Sequence, residues 1–270
     1  MGKVRRTLAG GLSDGGESDG NGERSRRARA ASHPVTPETV GEHGKGSAAA
    51  CDNTGGAAVA TSRDAKRLCR LSAKSLKAGE HEEALAFAQQ AVEADEGSAE
   101  ALTARALAYV ALAEPALAIE DFTRALSLDQ RLVEAYYGRG RAHYDMAEYL
   151  STADAAAIKS GERADGRRSL ARRAAAAHRE GHFERAILDF TEAIGLQAKH
   201  AEAYLCRAKA FQHLGLYDDA IADFDTAIAL NSKIGEAYLG RGIAYVAKGE
   251  YPRAIPDFHK AEELLQAKYR

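Results

Sequence analysis

The chain of 270 residues has no tryptophan, three cysteines, five prolines and two methionines, and its formal net charge is only -2. Each scarcity removes a class of protein. Cys51, Cys69 and Cys206 are odd in number, far apart and never in a C-x-x-C pair, so neither a disulfide framework nor a zinc knuckle is indicated. Near-neutral charge demands neither a nucleic acid nor an anionic membrane as partner. No run approaches the roughly eighteen apolar residues of a spanning helix, the N-terminus lacks the apolar core of a signal peptide, and Arg6 stands where a myristoylation signal needs Ser or Thr. These absences fit an intracellular, cytoplasmic protein with no membrane partner.

Aromatic residues are missing from one whole region. Residues 1–64 hold none of the 11 Tyr and 7 Phe but 12 of the 25 Gly, in runs such as "GGLSDGGESDGNGE". Such a segment cannot bury enough apolar area to offset its chain entropy, which predicts a disordered tail. Asp14, Glu17, Asp19 and Glu23 argue against an organelle transit peptide, which is poor in acidic residues. The cluster "RSRRARA" within the tail reads as a solvated charge run, with a nuclear import signal as its alternative.

From Ala65 onward the sequence repeats. "AIEDFTRALSL" from Ala118 returns as "AILDFTEAIGL" from Ala186, "AIADFDTAIAL" from Ala220 and "AIPDFHKAEEL" from Ala254. The period is 34 residues, and it divides the chain into six units: 65–98, 99–132, 133–166, 167–200, 201–234 and 235–268. The eighth residue of each is small (Ser72, Ala106, Gly140, Ala174, Ala208, Gly242), and the twenty-fourth is Phe122, Phe190, Phe224 or Phe258 in four of them. Apolar spacing of three and four, as in Tyr204, Ala208 and Phe211 and again in Ala220, Phe224 and Ala227, predicts two amphipathic helices per unit. Gly79, Gly181, Gly215 and Gly249 fall at the expected turn between them, where a left-handed backbone ends the first helix. The copy due at 152 reads "TADAAAIKSGE", with Ala156 in place of Phe. Because the register resumes at Arg167, this reads as a decayed second helix, and the joint between units three and four as the least stable part of the array.

This 34-residue helix-turn-helix period, with Ala220 and Phe224, Ala186 and Phe190, and Ala254 and Phe258 in an A-x3-F pattern, resembles the tetratricopeptide repeat. The chain departs from it in having Tyr136, Tyr204 or Tyr238 where that family has Trp, and in lacking its late-unit Pro. The resemblance implies an all-α, right-handed superhelical solenoid of six repeats whose first helices line a concave face that receives peptide segments of partner proteins. It also implies a test for cochaperones, which clamp a chaperone's C-terminal carboxylates with Lys, Asn and Arg at fixed unit positions. Here Thr103, Leu107 and Gly138 occupy most of those positions and only Arg168 and Arg172 have the required charge, so a cochaperone would need a non-standard carboxylate site.

Motifs that suggest chemistry lose to structural readings. "GRGRA" at Gly138 and "GRGIA" at Gly240 lie within helix patterns with no preceding strand, unlike a dinucleotide-binding loop. His178 and His182 have zinc-ligand spacing, but Gly181 is expected to break that helix, and no metal or other cofactor is expected. Arg105, Arg139, Arg173, Arg207 and Arg241 share the seventh position and Asp121, Asp189, Asp223 and Asp257 the twenty-third, which predicts an Arg-carboxylate bridge within four units, none in the first, and leaves Arg139 without an Asp. Nothing supplies a nucleophile, a base and oxyanion donors together, so no enzyme is expected.

The second, fifth, ninth and twelfth residues of each first helix form the stripe that faces the groove. Its ends are apolar and its centre carries Tyr137, Arg141, Tyr144, Arg168, Arg172, His178, Arg179, Lys209 and His213. Arginine and tyrosine in that concentration suit an extended, acidic peptide segment. A weak nucleic-acid binder is the alternative, and Leu264 and Leu265 in the last unit offer a surface for self-association.

Overall fold

The computed structural model describes residues 54–159 and 166–268, with side chains from 62 to 152 and from 173 to 267. Of the tail expected to be disordered, residues 1–53 lie outside the described residues, whereas residues 54–64 are helical. Among the described residues every regular element is an α-helix: α1 (Thr54–Ala78), α2 (His81–Ala94), α3 (Ala99–Ala111), α4 (Pro115–Leu128), α5 (Val133–Lys159), α6 (Gly166–Leu196), α7 (Ala201–His213), α8 (Tyr217–Leu230), α9 (Gly235–Ala247) and α10 (Tyr251–Lys268). The first helix begins ahead of the expected array start, because "TGGAAVATSR" supplies alanines that extend a helix already nucleated downstream.

The helices form two layers. Odd-numbered helices touch one another in succession from α1 to α9, each of α2, α4, α6 and α8 packs between two consecutive odd ones, and α10 packs on α9 alone. This is the all-α repeat solenoid that the sequence pattern predicts, with Phe122, Phe190 and Phe224 fully buried between the layers. Gly79, Gly215 and Gly249 take the left-handed conformation at the inter-helix turns, and Ala113 (φ 59°) takes it in the second unit despite its Cβ.

Residues 133–200 depart from the expected pair of helix-turn-helix units. Neither Ala147 nor Gly181 turns the chain; α5 and α6 run straight through both positions as helices of 27 and 31 residues. The bridges show what replaces the two units. Arg105, Arg207 and Arg241 each grip the Asp sixteen residues ahead in two-pronged fashion, at 2.7–2.8 Å for the first two. Arg139 grips Asp189, fifty residues ahead, at 2.9 and 2.7 Å. The excess is one repeat length. Asp189 is therefore not the partner of Arg173, which is exposed.

The physical cause lies in which half-units are sound. The second half of unit three lacks Phe and Asp (Ala156, Ala155), and the first half of unit four has Leu170 and Ala177 where its neighbours carry aromatics. Folding either half onto the array would bury little. The intact halves pair instead: Gly140 sits against Phe190, and Ala147 with Phe183 and Ala210 forms the last packed layer. The deficient residues 148–159 and 166–180 continue outward as an antiparallel arm. None of the arm's described side chains is buried, and continuous helix satisfies its backbone without a turn. At 1.5 Å per residue the arm rises about 18 Å beyond the last layer.

Two measurements check this arrangement. A double-mutant cycle on Arg139 and Asp189 should give a coupling of about 1–2 kcal/mol, since the pair is bidentate and its carboxylate buried, whereas Arg173 and Asp189 should couple by less than about 0.3 kcal/mol. Amide exchange should be faster in residues 148–159 and 166–180 than in any other helix interior, because no third element covers them; protection equal to that of α7 or α8 would contradict it.

At the far end Leu264 and Leu265, expected as a self-association surface, are half-buried: they fold over the start of α9, where a Cβ on Gly235 would lie 3.1 Å from Leu265 Cγ.

Candidate functional site

The concave layer gathers part of the predicted stripe. Tyr137, Arg141 and Tyr144 project from successive turns of α5, and Lys209 from α7, into one cavity of about 360 Å³ that Asp145, Phe190, Glu202, Leu205, Cys206 and Glu236 also line. A second cavity of about 660 Å³ adjoins it, sharing Tyr144, Lys209 and Glu236 and adding His213, Tyr217, Leu239 and Ile243. Together they run from α5 across α7 to α9. Leu239, Ile243 and Val246 stand exposed along α9, where three apolar side chains have no neighbour to cover them.

Polar contacts fix the side chains of this trough. Tyr137 has its hydroxyl 3.8 Å from Cys206 Sγ and its ring 4.7 Å from that of His200. Burial pushes the Tyr137 phenol and the Cys206 thiol above their ordinary values, so both are neutral and the cysteine is no nucleophile at neutral pH. The Tyr144 hydroxyl lies 2.9 Å from His213 Nε2, which is 3.2 Å from Glu148 Oε1. His213 also stacks on Phe183 at 4.6 Å with an 8° interplanar angle. Burial lowers its pKa, and Glu148 only partly opposes that. Lys209 donates to Glu236 at 2.6 Å.

The remaining predicted residues fall elsewhere. His178 packs edge-on against His182 at 4.8 Å, at the root of the arm. Arg179, next to His178, stays close enough to His213 for its charge to help lower that pKa, whereas Arg168 and Arg172 occupy the first two turns of α6, on the arm, with side chains outside the described residues. Because Gly181 does not break α6, the arm carries Arg168 and Arg172 away from the array, and the basic centre divides. What remains in the trough is mixed in sign: Arg141 and Lys209 face Asp145, Glu202 and Glu236. The second position of the stripe already announced two of these carboxylates, since it reads Glu100, Glu134, Glu202 and Glu236 in four units.

The two "GRG" motifs have a packing role. A Cβ on Gly138 or Gly240 would lie 2.3 Å from the Cζ of Phe122 or Phe224 in the preceding unit, and one on Gly140 or Gly242 would lie 2.8 Å from Phe190 or Phe258. Each pair of glycines thus lies between two phenylalanine rings. The arginine between them makes the carboxylate bridge, and Tyr136 or Tyr238, one turn back, covers its guanidinium at 5.9 or 5.6 Å. Tyrosine thereby fills the position where the repeat pattern has Trp. Among the described residues no set of three His, Cys, Asp or Glu is gathered to hold a metal ion, and no helix is long and apolar enough to cross a membrane.

Comparison with known proteins agrees with this geometry. The tetratricopeptide repeat pattern matches residues 172–233 and 207–267 in one form and 99–131 in another. No curated protein sequence matches the chain significantly. Among solved structures, MamA from Desulfovibrio magneticus RS-1 is similar over 76% of this chain and 96% of its own, with 18% identity and a TM-score of 0.56. TTC0263, a thermophilic protein of the same repeat class from Thermus thermophilus, is similar over 74% and 91%, with 20% identity and a TM-score of 0.54. PilF of Pseudomonas aeruginosa is similar over 76% and 78%, with 18% identity and a TM-score of 0.58. At these identities the likeness concerns the fold.

Proposed function

We propose that this chain, a tetratricopeptide repeat protein by its matched segments and fold, is a noncatalytic adaptor of the protein–protein interaction class that binds an extended peptide segment along the trough of α5, α7 and α9. The observation that carries this reading is the pair of adjoining cavities that ends on exposed Leu239 and Ile243, with exposed Val246 next along the same helix. Three uncovered apolar side chains in a concave setting gain by contact with a ligand's apolar residues, at about 25 cal/mol per Å² buried. An acidic group on the ligand would meet exposed Arg141 and take over Lys209 from Glu236, exchanging one ion pair for another. The acidic preference therefore applies to one ligand position and not to the whole segment. Nucleic acid fits less well, because Asp145, Glu202 and Glu236 would repel successive phosphates.

The test is an affinity pull-down with the full chain, the charge variant Arg141→Glu with Lys209→Glu, and the apolar variant Leu239→Asp with Ile243→Asp. The partner that the parent retains should be lost or weakened about tenfold or more by each variant, with helical content and melting temperature unchanged. A partner held equally by all three proteins would place the binding surface elsewhere.

A further inference from the structure

A separate cavity of about 470 Å³ lies at the root of the arm, between the α3–α4 turn and α5, lined by Val110, Glu114, Pro115, Asp145, Met146 and Tyr149 among others. It exists because α5 does not turn at Ala147. On one continuous helix Asp145 and Tyr149 are four apart and lie one above the other, with Met146 beside them. A turn at Ala147 would have put Tyr149 at the start of a separate helix.

The lining has three features that belong together. Its walls are apolar, and Tyr149 is 67% exposed, a large aromatic face that the array leaves uncovered. Two carboxylates stand at the rim: exposed Glu114, with no ion pair among the described residues, and half-buried Asp145. Asp145 is poorly compensated. Its burial raises its pKa, Glu148 one turn on adds negative potential, and only Arg141 opposes them. A desolvated carboxylate and an exposed aromatic ring at the mouth of an apolar recess are what the long side chain of a basic residue satisfies, with its stem against the walls and its charge at the rim.

We infer that this notch is a binding site for a lysine or arginine side chain of a partner polypeptide, held by Glu114, Asp145 and the face of Tyr149. The site stands on its own cavity. Asp145 also lines the central cavity, so a segment bound in the trough would place its basic residue at the notch, its acidic group at Arg141 and its apolar residues on α9; only that ordering rests on the proposed function.

Met146 lines the notch, and Met1 is the chain's sole other methionine, so ¹³C-methyl-methionine labelling of the full chain gives a direct readout. Titration with Nα-acetyl-arginine amide or Nα-acetyl-lysine amide should move the Met146 methyl signal saturably and leave that of Met1 in place. The neutral isostere Nα-acetyl-norleucine amide should bind at least about fivefold more weakly, and Glu114→Gln with Asp145→Asn should weaken the cationic ligands about tenfold. Arg141→Gln should preserve or strengthen their binding while weakening a trough-bound peptide, so the two readings fail separately. A shift that does not saturate, an equal response to norleucine, or full affinity in the double variant would overturn the site. A Met146 signal that responds to added ligand only after the chain's own Arg24, Arg26, Arg27 and Arg29 are changed to Ala would overturn a partner as the source.

Discussion

Gly240→Ala should destabilise the protein by at least about 2 kcal/mol, whereas Gly181→Ala should stabilise it by up to about 1 kcal/mol. Both glycines lie inside helices, and in both the new methyl group removes the same penalty of excess backbone freedom. Their surroundings decide the sign. At Gly240 the added Cβ would lie 2.3 Å from Phe224 Cζ and 2.6 Å from Cε1, and that ring is fully buried, so relief requires opening the seam between units. At Gly181 nothing stands within 4 Å and the backbone is ordinary helix, so only the propensity gain remains. Urea or thermal denaturation of the two variants measures both effects. Gly138→Ala should match Gly240→Ala, because Phe122 stands to Gly138 as Phe224 does to Gly240. A loss of stability in Gly181→Ala would mean that residue 181 is a left-handed turn and that α6 is not continuous.

The same pair of glycines shows where the sequence was legible and where it was not. The period, the bridging arginines and aspartates, and the knobs at Phe122, Phe190 and Phe224 were readable because each depends on a residue's own type at a fixed phase. Whether a position such as 147 or 181 turns depends on what the following segment would gain by folding back, and that is a property of the partner surface. Missing aromatics before Gly166 read as one decayed second helix, and those after it went unread. Contiguous, they amount to one repeat length that the array does without, and Asp189 is free to serve Arg139 only once that length is looped out. The trough was half legible for a similar reason. Helical phase puts Tyr137, Arg141, Tyr144 and Lys209 on one stripe, and they line one cavity, but Glu202 and Glu236 at the stripe's second position line it too. His178, Arg168 and Arg172 were misplaced because their helix leaves the array, a consequence of long-range pairing that no local phase encodes.

Acidification should weaken the protein most at the root of the arm. His143 and His182, each no more than 7% exposed, meet across the α5–α6 seam with their Nδ1 atoms 2.9 Å apart, so one neutral ring donates to the other. Burial, then the neighbouring His182, Arg139 and Arg185, push the pKa of His143 down to about 3; burial, then His178 and Arg185, lower that of His182. Because the folded values lie below the unfolded value of about 6.5, the unfolded chain takes up protons first. The stabilisation is thus complete above about pH 6.5 and is lost as the pH falls from there toward 3. His143 alone should remove about 2 kcal/mol between pH 7 and pH 5, with a further loss in the same direction from His182. Arg139 bears on the same place, since its bridge to Asp189 lies one helical turn before His143, and a second positive charge on the seam would repel it. Thermal melting followed from pH 8 to pH 5 should show this decline, and replacing both histidines by leucine should flatten it, because the apolar pair fills the same seam without a group to protonate. A decline that is just as steep in the double-leucine variant would assign the acid sensitivity to other groups and remove the histidine pair as its origin.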